Sequence, residues 1–211
     1  MATDQGGLRE RKKRQTRFAL SQAAIRLTLE RGWDDVSVED IAAAANVSER
    51  TFRNYFAGKA EAIVATHVER GRRTAEALGD RPADEPLWDA LVNAIVAQFE
   101  PPPGSDGTVP GPHPAELPAG YPAALQKLLA EPAVQYEVFR AHATAQDELT
   151  AAIADRTGTS ADDLYPQLVS AVVSAGLGTA LTRWTQDPTG SIAAVLRDAF
   201  DQIRTGLPDP R

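Results

Sequence analysis

The sequence predicts an all-α protein, on three observations. Apolar residues recur at spacings of three and four in successive stretches, Gly and Pro clusters separate those stretches, and nowhere do apolar and polar residues alternate with β-branched enrichment. The 211 residues are 43% apolar and 24% charged, a balance that suits one large or two small globular domains. There is no cysteine, which excludes disulfide frameworks, thiolate nucleophiles and sulfur-ligated metal centres. No continuous apolar run approaches the roughly 18 residues of a membrane span, and the N-terminus lacks the pattern of a secretory signal. A cytoplasmic protein with no membrane partner is therefore expected.

The first helix is expected over about 11–31, where Phe18, Ala19, Ile25, Leu27 and Leu29 lie among Arg and Gln and Gly32 stands in C′ position. Ser37 opens the second, with Asp40 in capping-box position and Val38, Ile41, Ala42 and Ala45 as its buried face. Only Asn46 and Val47 separate it from a third helix opened by Ser48, and Asn is one of the few residues that tolerate positive φ in a sharp turn. A fourth helix spans about 58–78, after which Gly79, Asp80, Pro82 and Pro86 break the pattern. Leu87, Trp88, Leu91, Ile95, Val96 and Phe99 mark a fifth. Residues 101–122 hold eight Pro and four Gly, the composition of an irregular, mobile loop. Three further helices are expected over 122–130, 131–156 and 160–184, and a last over 189–205, where Ile192, Val195, Leu196, Ala199, Phe200 and Ile203 form a stripe.

The formal net charge of −7 is unevenly spread. Residues 1–80 carry 14 Lys and Arg against 12 Asp and Glu, whereas residues 81–211 carry 8 against 17. The cationic excess is sharpest at the start, where Arg9, Arg11, Lys12, Lys13, Arg14 and Arg17 face only Asp4 and Glu10. Such a basic arm is either a solvated tail or a contact for a polyanion.

The helix opened by Ser48 gives that polyanion an identity. At about 100° per residue, Arg53 and Asn54 fall within about 60° of Arg50, while Phe52 and Phe56 fall near 200° and 240°, on the opposite side. Two short helices joined by a tight turn, the second with rings on one face and guanidinium and amide groups on the other, make a helix-turn-helix that can enter a major groove. There Arg pairs with guanine O6 and N7, Asn with adenine N6 and N7, and the hydroxyls of Thr51 and Tyr55 reach phosphate oxygens.

These residues also resemble a known family. Gly32-Trp33, Ser37 to Ala42, Ala45 to Ser48, Thr51-Phe52, Tyr55-Phe56 and Lys59, within residues 14–62, look like the DNA-binding region of tetracycline-repressor (TetR) regulators. Asn46 replaces the family's usual turn Gly, and Glu49-Arg50 stands where small residues are frequent, which leaves the base preference open. The resemblance implies that Ser37, Ser48, Arg50, Thr51, Arg53, Asn54, Tyr55 and Lys59 meet double-stranded DNA, with Lys59 on a phosphate. It further implies a homodimer, a two-domain all-α fold and repression relieved by a small-molecule effector. The expected organisation is an arm and helix-turn-helix domain over 1–57, a connecting helix over 58–80, and an effector-binding and dimerisation domain over 81–211.

A two-fold operator calls for a two-fold protein. The last two long helices are candidates for its interface, with Leu168, Val172, Ala175, Leu181, Ile192, Leu196 and Phe200 supplying apolar area and Ala171, Ser174, Gly178 and Ala180 permitting close approach. Candidate effector contacts are Trp88, Phe99, Tyr121, Tyr136, Phe139, His142 and Trp184. The segment from Glu131 to Trp184, with Asp162 to Pro166 starting its last helix, also resembles family members linked to acyl-CoA-like ligands.

No zinc pattern, nucleophile elbow or phosphate loop occurs, and His67, His113 and His142 are far apart in the chain. No catalytic residue, metal or cofactor is therefore expected. The competing reading is a helical ligand- or protein-binding module that uses the same two helices for protein contact. Salt separates the two, because only a DNA complex weakens steeply as ionic strength rises.

Overall fold

The computed structural model describes residues 3–100, 121–187 and 190–207. The described residues form α1 (Thr3–Arg31), α2 (Val38–Ala44), α3 (Glu49–Arg53), α4 (Lys59–Gly79), α5 (Leu87–Val96), α6 (Tyr121–Ala130), α7 (Pro132–Thr157), α8 (Leu164–Gln186) and α9 (Ile192–Arg204), with no strand among them. Most of the loop expected over 101–122 lies outside the described residues. The chain divides into two compact units, Met1–Val68 with Ala123–Ala141, and Glu69–Pro122 with His142–Arg211. This division differs from the expected boundaries: α6 and the first turns of α7 belong with the N-terminal helices, and α4 and α7 each pass from one unit to the other.

In the first unit, α1 is longer than expected and carries the basic run on a continuous helix. Its inner face places Leu20, Ala24 and Leu27 in a core with Val36, Ile41, Phe52, Phe56 and Ala62. Leu128, Val134 and Ala141 join that core from α6 and α7. Gly32 ends α1 at φ +98, with its N–H on the Thr28 carbonyl at 2.9 Å. The turn between α2 and α3 is tighter. Asn46 sits at φ +56, its N–H donating to Ala43 O at 3.0 Å while the N–H of Val47 donates to Ala42 O at 2.9 Å. These are the two bonds of a Schellman stop. Asn46→Gly is expected to leave stability level or slightly higher, whereas Asn46→Val should cost about 1 to 2 kcal/mol by forcing a β-branched residue into the left-handed region. Urea midpoints of the two variants measure the difference, and equal midpoints would show that the turn rearranges freely.

The second unit packs α4, α5, α7, α8 and α9 around Leu78, Leu91, Ile95, Leu149, Ile153, Val173, Leu196 and Phe200. Two glycines permit close helix approach. A Cβ on Gly71 would lie 2.6 Å from Ala145 Cβ, and one on Gly176 would lie 2.7 Å from Ile203 Cδ1. Gly178, expected to permit close approach at the dimer interface, has nothing of its own chain within 4 Å of an added Cβ. The connection from α4 to α5 is held by Arg156, whose guanidinium donates to the carbonyls of Leu78 (3.4 Å), Arg81 (3.2 Å), Pro82 (2.5 Å) and Glu85 (2.8 Å). The Arg81 side chain and the Asn93 amide hold the Glu85 carboxylate in turn and keep its pKa below the ordinary range.

Two expectations change here. Leu196 and Phe200 are fully buried in the core of their own unit, so their side chains cannot face a second copy. Ile192 also packs against that core. The other concerns α8, which is long and apolar enough to cross a membrane by length and composition alone. Its Ser, Thr and Gly residues broke the apolar run that the sequence pattern sought. In the structure one face of α8 packs along α9.

Candidate DNA interface

The interface is assembled from two caps. The Ser37 side chain accepts the N–H of Asp40 at 3.1 Å, and the Asp40 carboxylate accepts the N–H of Ser37 at 2.8 Å, closing a reciprocal capping box on α2. Hydrogen bonds from Ser37 side chain and backbone hold the Asp40 pKa below its ordinary value, with Arg31 adding a weaker attraction. Ser48 caps α3 through the N–H of Thr51 at 3.1 Å, and the two hydroxyls share a 2.9 Å bond.

α3 is anchored by its rings. Phe52 is 0% and Phe56 2% exposed, with ring centroids 5.6 Å apart and tilted by 51°. Arg17 reaches across from α1, its guanidinium 4.5 Å from the Phe56 ring and donating to the Tyr55 carbonyl at 3.0 Å. Tyr55 itself packs against the core from the turn that follows the helix. α3 ends at Arg53, but Asn54 keeps helical dihedrals (φ −76, ψ −15), so the angular spacing of the exposed face carries through it.

On that face Arg50, Arg53 and Asn54 are exposed, and neither Arg50 nor Asn54 has a side-chain partner among the described residues. Arg53 differs, because its Nε donates to Glu49 at 2.9 Å and a second nitrogen does so at 2.5 Å. Lys59 is also engaged. Its ammonium donates to the carbonyls of Trp33 and Val36 and sits 4.0 Å from the centroid of the Trp33 ring. The structure thus uses Lys59 first to tie the start of α4 to the loop before α2, where the resemblance implied a phosphate contact. Glu61 closes the same corner by accepting the N–H of Ala57 at 2.7 Å. Arg9, Arg11, Lys12, Lys13 and Arg14 are exposed along α1.

The candidate effector residues do not gather in one place. Trp88 and Phe99 pack against the core of the second unit, and Trp184, half-buried, donates to Gly190 O at 3.3 Å. Tyr136 and Phe139 belong to the first unit and are 61% and 73% exposed, and His142 is exposed as well. These three do not line an interior. The inner stripe of α7 is instead Val134, Val138, Ala141, Ala145, Leu149 and Ile153, each three or four residues apart, and the aromatic side chains fall off it. The side chain of Tyr121 lies outside the described residues. Sequence reasoning also missed Arg17 as a clamp on α3, since nothing local to it signals a partner 38 residues away.

A capped pair of short helices with buried rings and an exposed Arg and Asn face is the reading head of a helix-turn-helix DNA-binding regulator. Residues 20–66 match the family model for bacterial regulatory proteins of the tetR family, and residues 122–208 match the model for the MftR C-terminal domain. Among curated proteins, the HTH-type transcriptional regulator TcmR of Streptomyces glaucescens is 30% identical over 209 residues, spanning 95% of this chain and 88% of that one. MftR, a transcriptional regulator ascribed to mycofactocin biosynthesis in Mycobacterium tuberculosis, is 27% identical over 203 residues, 93% of each chain. The fold is also that of the fatty acid degradation regulator FadR from Bacillus halodurans, with a TM-score of 0.58 at 17% identity over 92% of this chain and 97% of that one. The chain belongs to the tetR family and is a DNA-binding transcriptional regulator.

Proposed function

We propose that this regulator works in the cytoplasm as a homodimeric repressor on a palindromic operator, and that a small-molecule effector releases it. Base reading falls to Arg50 and Asn54, with Arg53 shared between DNA and Glu49. Ser37, Ser48, Thr51 and Tyr55 position the helix on the backbone, Lys59 steadies its approach, and the α1 cations add phosphate contacts. The observation that carries this reading is the pair of exposed side chains, unpartnered among the described residues, on a helix whose opposite face is locked by Phe52 and Phe56.

The experiment is selection of bound fragments from random DNA, followed by affinity on the selected and on scrambled sequence across a salt series. Arg50→Ala and Asn54→Ala should each cost about 1 to 3 kcal/mol on the selected site and relax preference at particular base pairs. Replacing Lys12 and Lys13 by Ala should instead weaken both DNAs alike and flatten the salt slope by about 0.9 for each phosphate the arm no longer neutralises. Equal losses on both DNAs for all four substitutions would refute the division of labour.

The dimer reading is supported by α8, where Leu164, Leu168, Ala171 and Ala175 form an exposed stripe at helical spacing, Leu164 being 76% and Leu168 56% exposed. Val172 and Leu181, half-buried beside it, would complete the contact. Leu168→Glu should give a monomer by sedimentation and lose operator binding. A dimer unaffected by that charge would move the interface elsewhere.

Effector binding is assigned to the second unit, where Trp88, Phe99 and Trp184 offer ring surface; Tyr136, Phe139 and His142 could contribute only from outside its core. A typical coupling of about 1 to 3 kcal/mol would weaken operator affinity roughly 5- to 150-fold. α4, continuous from the corner beside α3 into the second unit, is the element able to carry that change. The acyl-CoA-like chemistry suggested by the sequence belongs to this proposal as one class to screen.

A further inference from the structure

We propose that Arg70 is the anchor for the carboxylate of an apolar-bodied small molecule bound in the second unit. The inference rests on the effector reading above and gives that effector a chemical class.

Arg70 lies on the inner side of α4, one turn before the buried Thr74 and two before the buried Leu78. Its guanidinium stacks 4.4 Å from the centroid of the Phe99 ring, which packs against the apolar cluster containing Ile95, Val96 and Leu149. Beyond that ring it has no hydrogen bond and no carboxylate partner among the described residues. Its neighbours on α4 are already paired: Arg72 bonds to Glu69 and Glu76, and Arg73 bonds to Glu69. Burial, with the like charge of Arg73, lowers the Arg70 pKa to about 10, so the group remains cationic at neutral pH.

A half-buried cation without a counter-charge gives up part of its hydration, and replacing such a group by an apolar side chain is often neutral or stabilising. Among the described residues, the same unit holds two buried side-chain polar atoms without a hydrogen-bond partner, Trp88 Nε1 and Glu148 Oε2. Glu148 sits one turn beyond Ala145, the residue against which Gly71 packs, yet its attraction falls on Arg72 and not on Arg70. Unpaired donors and acceptors of this kind are uncommon inside native proteins, and a bound ligand is one way they are satisfied. The positive charge of Arg70, uncompensated among the described residues, matches one negative charge, and the planar fork of Arg matches a carboxylate in two parallel hydrogen bonds. The Phe99 ring beside it, and the apolar cluster against which that ring packs, suit an apolar body.

The test compares full-length wild type with Arg70→Met and Arg70→Lys, using decanoate and 2-naphthoate against their uncharged amides, decanamide and 2-naphthamide. The wild type should be thermally stabilised by a carboxylate and not by its amide. Arg70→Met should melt a few degrees higher than wild type without ligand, keep its operator binding, and bind the carboxylate roughly 10- to 100-fold more weakly. Arg70→Lys should retain part of the response, having the charge without the fork. The proposal is overturned if Arg70→Met melts lower with no ligand present, because the guanidinium then has a structural partner. It is equally overturned if acid and amide bind alike, or if neither carboxylate binds. Release of operator DNA separates this inference from the reading beneath it. A carboxylate that binds through Arg70 without releasing DNA refutes the effector role and leaves the anchor standing. Release by an uncharged compound, unchanged in Arg70→Met, does the reverse.

Discussion

Phe52→Ala should lower the stability of the first unit by about 3 to 5 kcal/mol and abolish operator binding. The ring is fully buried, touches Phe56, and is the inner side of the helix that carries Arg50. Truncation removes its apolar area from the core and leaves a cavity that a five-residue helix cannot close, because its two ends are fixed by the Ser48 cap and the Arg17 bond to Tyr55. Domains of this size are stable by only about 5 to 15 kcal/mol, so such a loss is a large fraction of the total. Urea denaturation followed by circular dichroism, with DNA affinity measured at a temperature where the variant is still folded, separates unfolding from misplacement of α3. A change of under about 1 kcal/mol would show that the ring is not what seats the helix.

Arg156→Met is expected to cost about 2 to 3 kcal/mol, with little effect on the first unit. One guanidinium donates to four carbonyls, that of Leu78 in the last turn of α4 and those of Arg81, Pro82 and Glu85 in the connection to α5, of which Leu78 and Pro82 also accept a backbone N–H. Methionine keeps much of the aliphatic stem, so the loss reports the hydrogen bonds and not the packing. Hydrogen exchange should then show faster exchange for the segment 79–86 and little change in α1 to α3. Unaltered exchange and stability together would mean that water serves those carbonyls as well as Arg156 does.

The all-α class, the tetR family and the DNA-binding role were legible because their determinants are local. A capping Ser with Asp three residues on, an Asn able to hold positive φ, and rings set opposite Arg and Asn by a 100° step need no knowledge of distant chain. The structure repeats each of them: the Ser37 box, the Schellman stop at Asn46, and Phe52 buried beneath an exposed Arg50. The resemblance to TetR regulators, read from the same residues, agrees with family membership.

Other features were hidden because they join residues far apart in sequence. The stripe on α9 reads equally well as a dimer face or as core, and only packing against α5 and α8 decided that Leu196 and Phe200 lie inside. Tyr136 and Phe139 looked like pocket residues by chemistry, but α7 buries its Val and Ala stripe and turns the rings outward. Lys59 carries a charge that the resemblance assigns to phosphate, and its bonds to two backbone carbonyls more than 20 residues away were not legible beside that role.

By itself the sequence determined the helices, their caps and the angular sorting of side chains around each one, since those follow from steric and hydrogen-bonding preferences within a few residues. Tertiary structure alone decided which apolar stripe was covered, which charge found a partner, and that Arg70 found none among the described residues. Burial and pairing are properties of the space between helices, and that space is set by contacts between residues the chain holds far apart.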